Sequence, residues 1–254
     1  LEVFASFQGE GLYVGCPQVF LRMAGCPLRC AWCDTPGSWT ISTGASAVIR
    51  TSAGEREEGA WATPEVVAAW IDEVDPTQRM TVSVTGGEPL MWAEFLLELR
   101  PLLKRRRVHL ETAGAHPLAL SRVLDACDHV STDLKLPADM GAPQAVGFLE
   151  VEASPRTSTE WRTARRAVLE LVSDRDACAK VIVAGGREAR DFAEIVVDVL
   201  HCAPNLTLIV QPVTPSLGVQ GPTQEALGGV VLAARQVGLD ARVIGQLHPA
   251  WELP

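Results

Sequence analysis

From Thr63 onward the sequence alternates short β-branched runs with longer amphipathic ones, and that alternation leaves few folds open. Thr63-Pro64-Glu65 reads as a helix start, with an N-cap hydroxyl and a proline at the first helical position. Val66, Val67, Trp70, Ile71 and Val74 then recur at helical spacing. Strands are expected at 3–7, 17–23, 80–85, 108–112, 129–135, 180–184, 206–211 and 241–247. Helices are expected at 91–106, 117–126, 160–173, 188–202 and 223–238. Strands joined through helices pair in parallel, because each crossover returns the chain to the same end of the sheet. The expected class is α/β, a parallel sheet covered by helices. Residues 36–63 carry neither period and read as a surface loop insertion; 136–159 read as irregular.

The polar residues fall at one place in this pattern. Cys26, Cys30 and Cys33, the Thr85-Gly86-Gly87-Glu88-Pro89 segment, Glu111-Thr112, the set Ser131, Asp133 and Lys135, Gln211, and Gln246 with His248 all lie at or near the C-terminal ends of expected strands. In parallel α/β folds that edge carries the site. A cap or a turn explains any one of them; a shared site explains the set.

The three cysteines stand at C-x3-C-x2-C spacing. A closed structural zinc site takes four protein ligands, and a 4Fe-4S cluster also normally takes four thiolates. Three thiolates on a cluster leave one iron open for chemistry. The alternative is a zinc site completed by a distant Cys or His.

Other residues carry two readings each. Gly86-Gly87 makes a tight turn, or lets backbone approach a ligand. Trp32 is a packed aromatic or a stacking surface. Asp34-Thr35 is a turn or a pair of hard oxygen donors for Mg2+. Ser131, Asp133 and Lys135 alternate and so share one strand face. Arg22, the one charge in the run 17–23, needs a partner, either structural or a bound carboxylate. Lys180 reads as packing, His109 as core, and His116 and His201 as surface helix residues. The basic run 104–107 suits the end of a helix. Cys16, Cys127, Cys178 and Cys202 are scattered and read as mostly buried small hydrophobes rather than a disulfide framework.

The net charge is −9, from 22 basic and 31 acidic residues, which argues against broad nucleic-acid binding. No apolar run reaches membrane-spanning length and no signal-peptide pattern is visible. A reducing cytoplasm is the expected setting for an open cluster.

The cysteine spacing, with Trp32 just before the last Cys, resembles the radical S-adenosylmethionine (SAM) superfamily. Eight segments together resemble the 7-carboxy-7-deazaguanine synthase family within it. They are Phe7-Gln8-Gly9-Glu10-Gly11, Phe20-Leu21-Arg22-Met23-Ala24-Gly25-Cys26, Cys33-Asp34-Thr35, Thr85 to Pro89, Glu111-Thr112-Ala113-Gly114, Ser131 to Lys135, Gln211-Pro212 and Gln246-Leu247-His248.

The resemblance implies an incomplete parallel β/α barrel, with residues 1–254 as a single radical SAM domain. It implies a 4Fe-4S cluster on Cys26, Cys30 and Cys33, SAM used catalytically, and Mg2+ at Thr35. SAM would contact Trp32, Cys33, Asp34, Gly87, Ser131, Asp133, Lys135 and Gln211. The substrate, 6-carboxy-5,6,7,8-tetrahydropterin, would contact Gln8, Gly9, Glu10, Arg22, Thr85, His248 and, through a terminal carboxylate, Pro254. The product would be 7-carboxy-7-deazaguanine, formed by ring contraction with loss of ammonia. A flavodoxin-like or other reductant and a homodimer are implied as well. Ala113 departs from the family, where Asn is common. A glycyl-radical activating enzyme shares the cysteine spacing, and a non-catalytic Fe-S or zinc module is the third reading.

Overall fold

The computed structural model describes residues 1–254 except 43, 60, 148–151, 216, 217, 252 and 254. The chain opens with β1 (Glu2–Phe7), β2 (Pro17–Met23) and the two-residue β3 (Arg29–Cys30), followed by a hairpin of β4 (Ser46–Thr51) and β5 (Gly54–Gly59). Alternation then sets in: α1 (Pro64–Val74), β6 (Thr81–Gly86), α2 (Ala93–Leu102), β7 (Val108–Thr112), α3 (Pro117–Val123) and β8 (His129–Asp133). After the short β9 (Met140–Gly141) come α4 (Ser158–Val172), β10 (Ala177–Val183), α5 (Ala193–Cys202), β11 (Thr207–Pro212), α6 (Gln224–Gln236) and β12 (Ala241–Val243).

Ten strands form one sheet in the order β12-β11-β10-β8-β7-β6-β2-β1-β4-β5. The pairs from β2 to β12 are all parallel, as the β-α alternation requires. Among the described residues β5 and β12 do not pair with each other, so no closed barrel forms.

Side chains alternate across each strand with period two. One set, including Leu21, Val82, Leu110, Val130, Val181 and Leu208, is 0–1% exposed and belongs to the main hydrophobic core. The other set is polar in its upper rows: Arg22, Thr85, Glu111, Asp133, Lys180 and Gln211 all line one cavity. The register aligns them, with Arg22 opposite Thr85 and Lys180 opposite Asp133.

Several expectations are corrected. The stretch 36–63 is not a loop throughout, since β4 and β5 extend the main sheet beyond β1. Ala47 and Ile49 face the core while β5 is almost wholly exposed, so no two-sided apolar pattern marks it. The helix expected at 91–106 ends at Leu102. Arg106, far from capping it, is buried against Asp75 and Asp72. His116 is buried and meets the Ser154 hydroxyl at 3.0 Å. Cys16 is exposed. The last strand stops at Val243, which leaves Gln246 and His248 on the irregular segment after it.

Candidate active site

The cysteine loop follows β2 directly and is gripped from two sides. On one side Gly87 N–H donates to the Met23 carbonyl and Glu88 N–H to the Gly25 carbonyl, both at 2.9 Å. A Cβ on Gly87 would stand 2.3 Å from the Gly25 oxygen. The paired glycines therefore serve contact between two stretches of backbone. On the other side β3 pairs with β9, Ala31 N–H donates to the Asp139 carbonyl, and Gln144 N–H donates to the Pro27 carbonyl. Arg187 Nε fixes Asp139 in turn at 2.8 Å.

Burial, with the Glu88 charge, pushes the Cys26 thiol up to about 12. Burial raises the Cys30 thiol too, although Lys135 opposes it. The Cys26 and Cys30 thiols thus hold their protons, and ligation of a metal would displace them. Among the described residues no group of three or more His, Cys, Asp or Glu is already gathered for a metal ion.

A cavity of about 380 Å³ opens beside this loop. Gln8, Gly9, Glu10, Arg22, Cys26, Cys30, Trp32, Cys33, Asp34, Thr35, Thr85, Gly87, Asp133, Lys135, Gln211 and His248 all line it. Pro254 lies outside the described residues. Ser131 does not reach the cavity. It shares the face of Asp133 but sits one row lower, opposite Cys178 and Glu111. There its hydroxyl meets His109 Nε2 at 2.9 Å and Cys178 Sγ at 3.3 Å.

The cavity floor is a charge network. Lys180 Nζ donates to Glu10 Oε2 at 2.6 Å and stands 3.2 Å from Asp133 Oδ1. Lys135 Nζ donates to Asp133 Oδ2 at 2.5 Å and lies 4.3 Å over the Trp32 ring. Burial works against ionisation of Glu10 and Asp133, yet the lysines hold both carboxyls below the ordinary range. Glu111 is different: burial raises it, while Gln8 Nε2 and Ser83 Oγ each donate to its Oε1 at 2.9 Å. Two ammonium groups thus face two carboxylates, with Glu111 biased toward its neutral form.

Gln246 closes the rim. Its amide donates to Glu10 Oε1 at 2.7 Å and to Asp34 Oδ2 at 3.3 Å, and its oxygen accepts from Thr214 at 2.6 Å. Gly9 lies beneath His248, where a Cβ would come within 2.6 Å of Nδ1. Arg22 has a protein partner, Glu2, at 2.8 Å. It also lines a second, more apolar cavity of about 510 Å³, together with Trp92 and Phe95. Lys180, Glu111 and Gln246 belong to the site although the motifs assign them no ligand. For Lys180 the signal was strand parity, since it shares a face with Ile182, another residue of the cavity wall.

The donor set suits the groups a radical SAM site must hold. Three thiols with no fourth beside them in sequence suit a cluster that keeps one iron open. Trp32 Nε1, Asp133 Oδ1 and Gln211 Oε1 are buried side-chain atoms of the cavity wall without a hydrogen-bond partner among the described residues. Asp133 Oδ1 has the Lys180 charge beside it, but Trp32 Nε1 and Gln211 Oε1 have no such compensation, and buried polar atoms left unpaired are costly, so the wall suits a polar ligand.

Residues 20–195 match the radical SAM superfamily model, and the chain belongs to that superfamily, whose members use a 4Fe-4S cluster and SAM. The fold agrees. A radical SAM methyltransferase from Sphaerobacter thermophilus superposes with a TM-score of 0.58 at 12% identity, over 96% of this chain and 77% of that one. Streptococcus suis SuiB bound to S-adenosylmethionine gives 0.52 at 12%, over 91% and 51%.

Sequence relatives narrow the class. The 7-carboxy-7-deazaguanine synthase of Geobacter sulfurreducens is 32% identical over 97% of this chain and 94% of its own length. That of Methanopyrus kandleri is 35% identical over 97% and 90%. The chain belongs to the 7-carboxy-7-deazaguanine synthase family.

Proposed function

We propose that this cavity converts 6-carboxy-5,6,7,8-tetrahydropterin to 7-carboxy-7-deazaguanine, with ring contraction and loss of ammonia. The observation that carries the reading is the convergence on one cavity wall of residues from both motif sets, those for SAM except Ser131 and those for the pterin from Gln8 to His248. Cys26, Cys30 and Cys33 would hold a 4Fe-4S cluster, which would supply the one-electron reduction of SAM bound beside it.

The chain's own residues bind and orient. Asp133 Oδ1 and Gln211 Oε1 offer acceptors to ribose hydroxyls, and Lys135 sets the Trp32 ring as a stacking surface. Arg22, anchored by Glu2, presents its guanidinium to the substrate carboxylate. Gln8, Glu10, Thr85 and His248 read the pterin's polar edge. Asp34 and Thr35, joined by a 3.4 Å hydrogen bond at the rim, offer hard oxygens to Mg2+ alongside substrate. We read the chain as one radical SAM domain working as a homodimer in a reducing cytoplasm, with a flavodoxin-like or other low-potential reductant.

Anaerobically reconstituted protein given SAM, reductant and the pterin should form 7-carboxy-7-deazaguanine, faster with Mg2+. No product from protein with a full cluster would reject the reading. Arg22→Ala separates it from a glycyl-radical activating enzyme: the substitution abolishes pterin turnover here, whereas an activating enzyme has no use for that side chain.

A further inference from the structure

Lys180 is 4% exposed, yet no role in the family's motifs accounts for it. Its position follows from β10 pairing. It lies opposite Asp133 in the parallel register, on the strand face that forms the cavity wall, and its own backbone carbonyl accepts the Leu134 N–H at 2.7 Å. Its ammonium reaches Glu10 at 2.6 Å on one flank and Asp133 at 3.2 Å on the other. Glu10 stands in the segment read as binding pterin, and Asp133 in the segment read as binding SAM.

We propose that Lys180 is a positioning residue shared by the two ligand sites: one buried cation that holds Glu10 and Asp133 as ionised, correctly aimed acceptors for pterin and SAM respectively. The proposal rests on the functional reading above. An ammonium has three protons and a full positive charge, so it can serve two carboxylates at once and offset their charge, and a neutral amide can do only the first. The contact with Asp133 leaves Oδ1 without a hydrogen bond, so that atom is steered by charge and still open to a ligand hydroxyl. Lys135 does not replace Lys180. It donates to the other oxygen of Asp133, and none of its hydrogen bonds or ion pairs reaches Glu10. Burial alone would push both carboxyls toward their neutral forms, which donate where acceptors are needed.

The test measures dissociation constants of SAM and of 6-carboxy-5,6,7,8-tetrahydropterin separately, on reconstituted holoenzyme, with iron content and circular dichroism as controls. Lys180→Gln should weaken both ligands by roughly tenfold or more, the size expected for a lost charge-assisted contact. Glu10→Gln should weaken the pterin alone, and Asp133→Asn SAM alone. Lys180→Arg, which keeps the charge, should recover most of both affinities; a purely structural lysine would give no such paired recovery.

Where Lys180→Gln does not fold, the same change is made in Glu10→Gln protein, which has one buried carboxylate fewer to compensate. It must then weaken SAM relative to Glu10→Gln alone. A Lys180→Gln enzyme that loses one affinity only, or neither, overturns the proposal. Wild-type holoenzyme that binds SAM but no pterin overturns the functional reading and this proposal together. Wild type that binds both, with the variant unchanged, overturns this proposal alone.

Discussion

The Glu88 carboxylate accepts the backbone N–H of Ala113 at 2.9 Å, tying the end of β6 to the end of β7. The same carboxylate accepts from the Thr112 hydroxyl at 2.8 Å and from Leu90 N–H at 3.1 Å, and the side chain is fully buried. Glu88 therefore holds the site's upper rim from behind. Glu88→Ala would orphan three donors, at about 1–3 kcal/mol for each that stays buried. Thermal unfolding should show the largest drop in Tm for Glu88→Ala and a smaller one for Glu88→Gln, which keeps one acceptor. Equal drops would mean that the charge, rather than the hydrogen bonds, carries the effect.

Gly87→Ala should damage the cluster before it damages anything else. The added Cβ has no room beside the Gly25 carbonyl, one residue before Cys26. Iron bound after anaerobic reconstitution should fall severalfold, with secondary structure retained. Gly37→Ala, where a Cβ would meet nothing within 4 Å, is the matched control and should load iron normally.

Two histidines predict an acid sensitivity at unusually mild pH. Burial pushes His109 well below the ordinary imidazole value, helped by His129 and Lys180. Burial also lowers His129, against the pull of Asp176. In the unfolded chain both titrate at about 6.5. Below that pH the unfolded chain binds more protons than the folded one, so stability is complete above about 6.5 and drains away as pH falls. Urea midpoints should decline between about pH 7 and 5.5, and His109→Gln should flatten the decline. A midpoint constant over that range would show that both rings keep their ordinary affinity for protons.

The Arg106–Asp75 pair should matter far more than a surface pair. Both side chains are 1% exposed and 2.9 Å apart, and Asp75 also accepts from the N–H groups of Thr77, Arg79 and Met80. Asp75→Ala takes from the buried guanidinium one of its two carboxylate partners, Asp72 remaining, and strips three backbone N–H groups of their acceptor; it should cost at least about 2 kcal/mol by urea unfolding. Glu73→Ala, which removes an exposed partner of Arg56, should cost less than about 1 kcal/mol.

The β-α alternation was legible because helix and strand periods differ and each element buries one face. The site was legible at the level of strand ends, which is why Cys26, Gly87, Asp133 and Gln211 meet around one space. Depth along a strand was not legible. Ser131 and Asp133 share a face but lie in successive rows, and only the folded structure shows Ser131 covered by His109 and Cys178. The Lys180 partners were hidden for a related reason, because Glu10 and Asp133 are 170 and 47 residues away in sequence. The hairpin at 46–59 escaped notice because its outer strand buries almost nothing.

That outer strand also bears on how copies of the chain can meet. Glu55, Glu57 and Glu58 are exposed along β5, which forms one margin of the sheet. Two molecules approaching margin to margin there would set carboxylates against carboxylates, a common safeguard against strand-by-strand growth. Arg50 and Arg56 engage Glu55 and Glu58, yet with Arg56 the one basic residue on β5 the border stays net acidic and disfavours self-association along it.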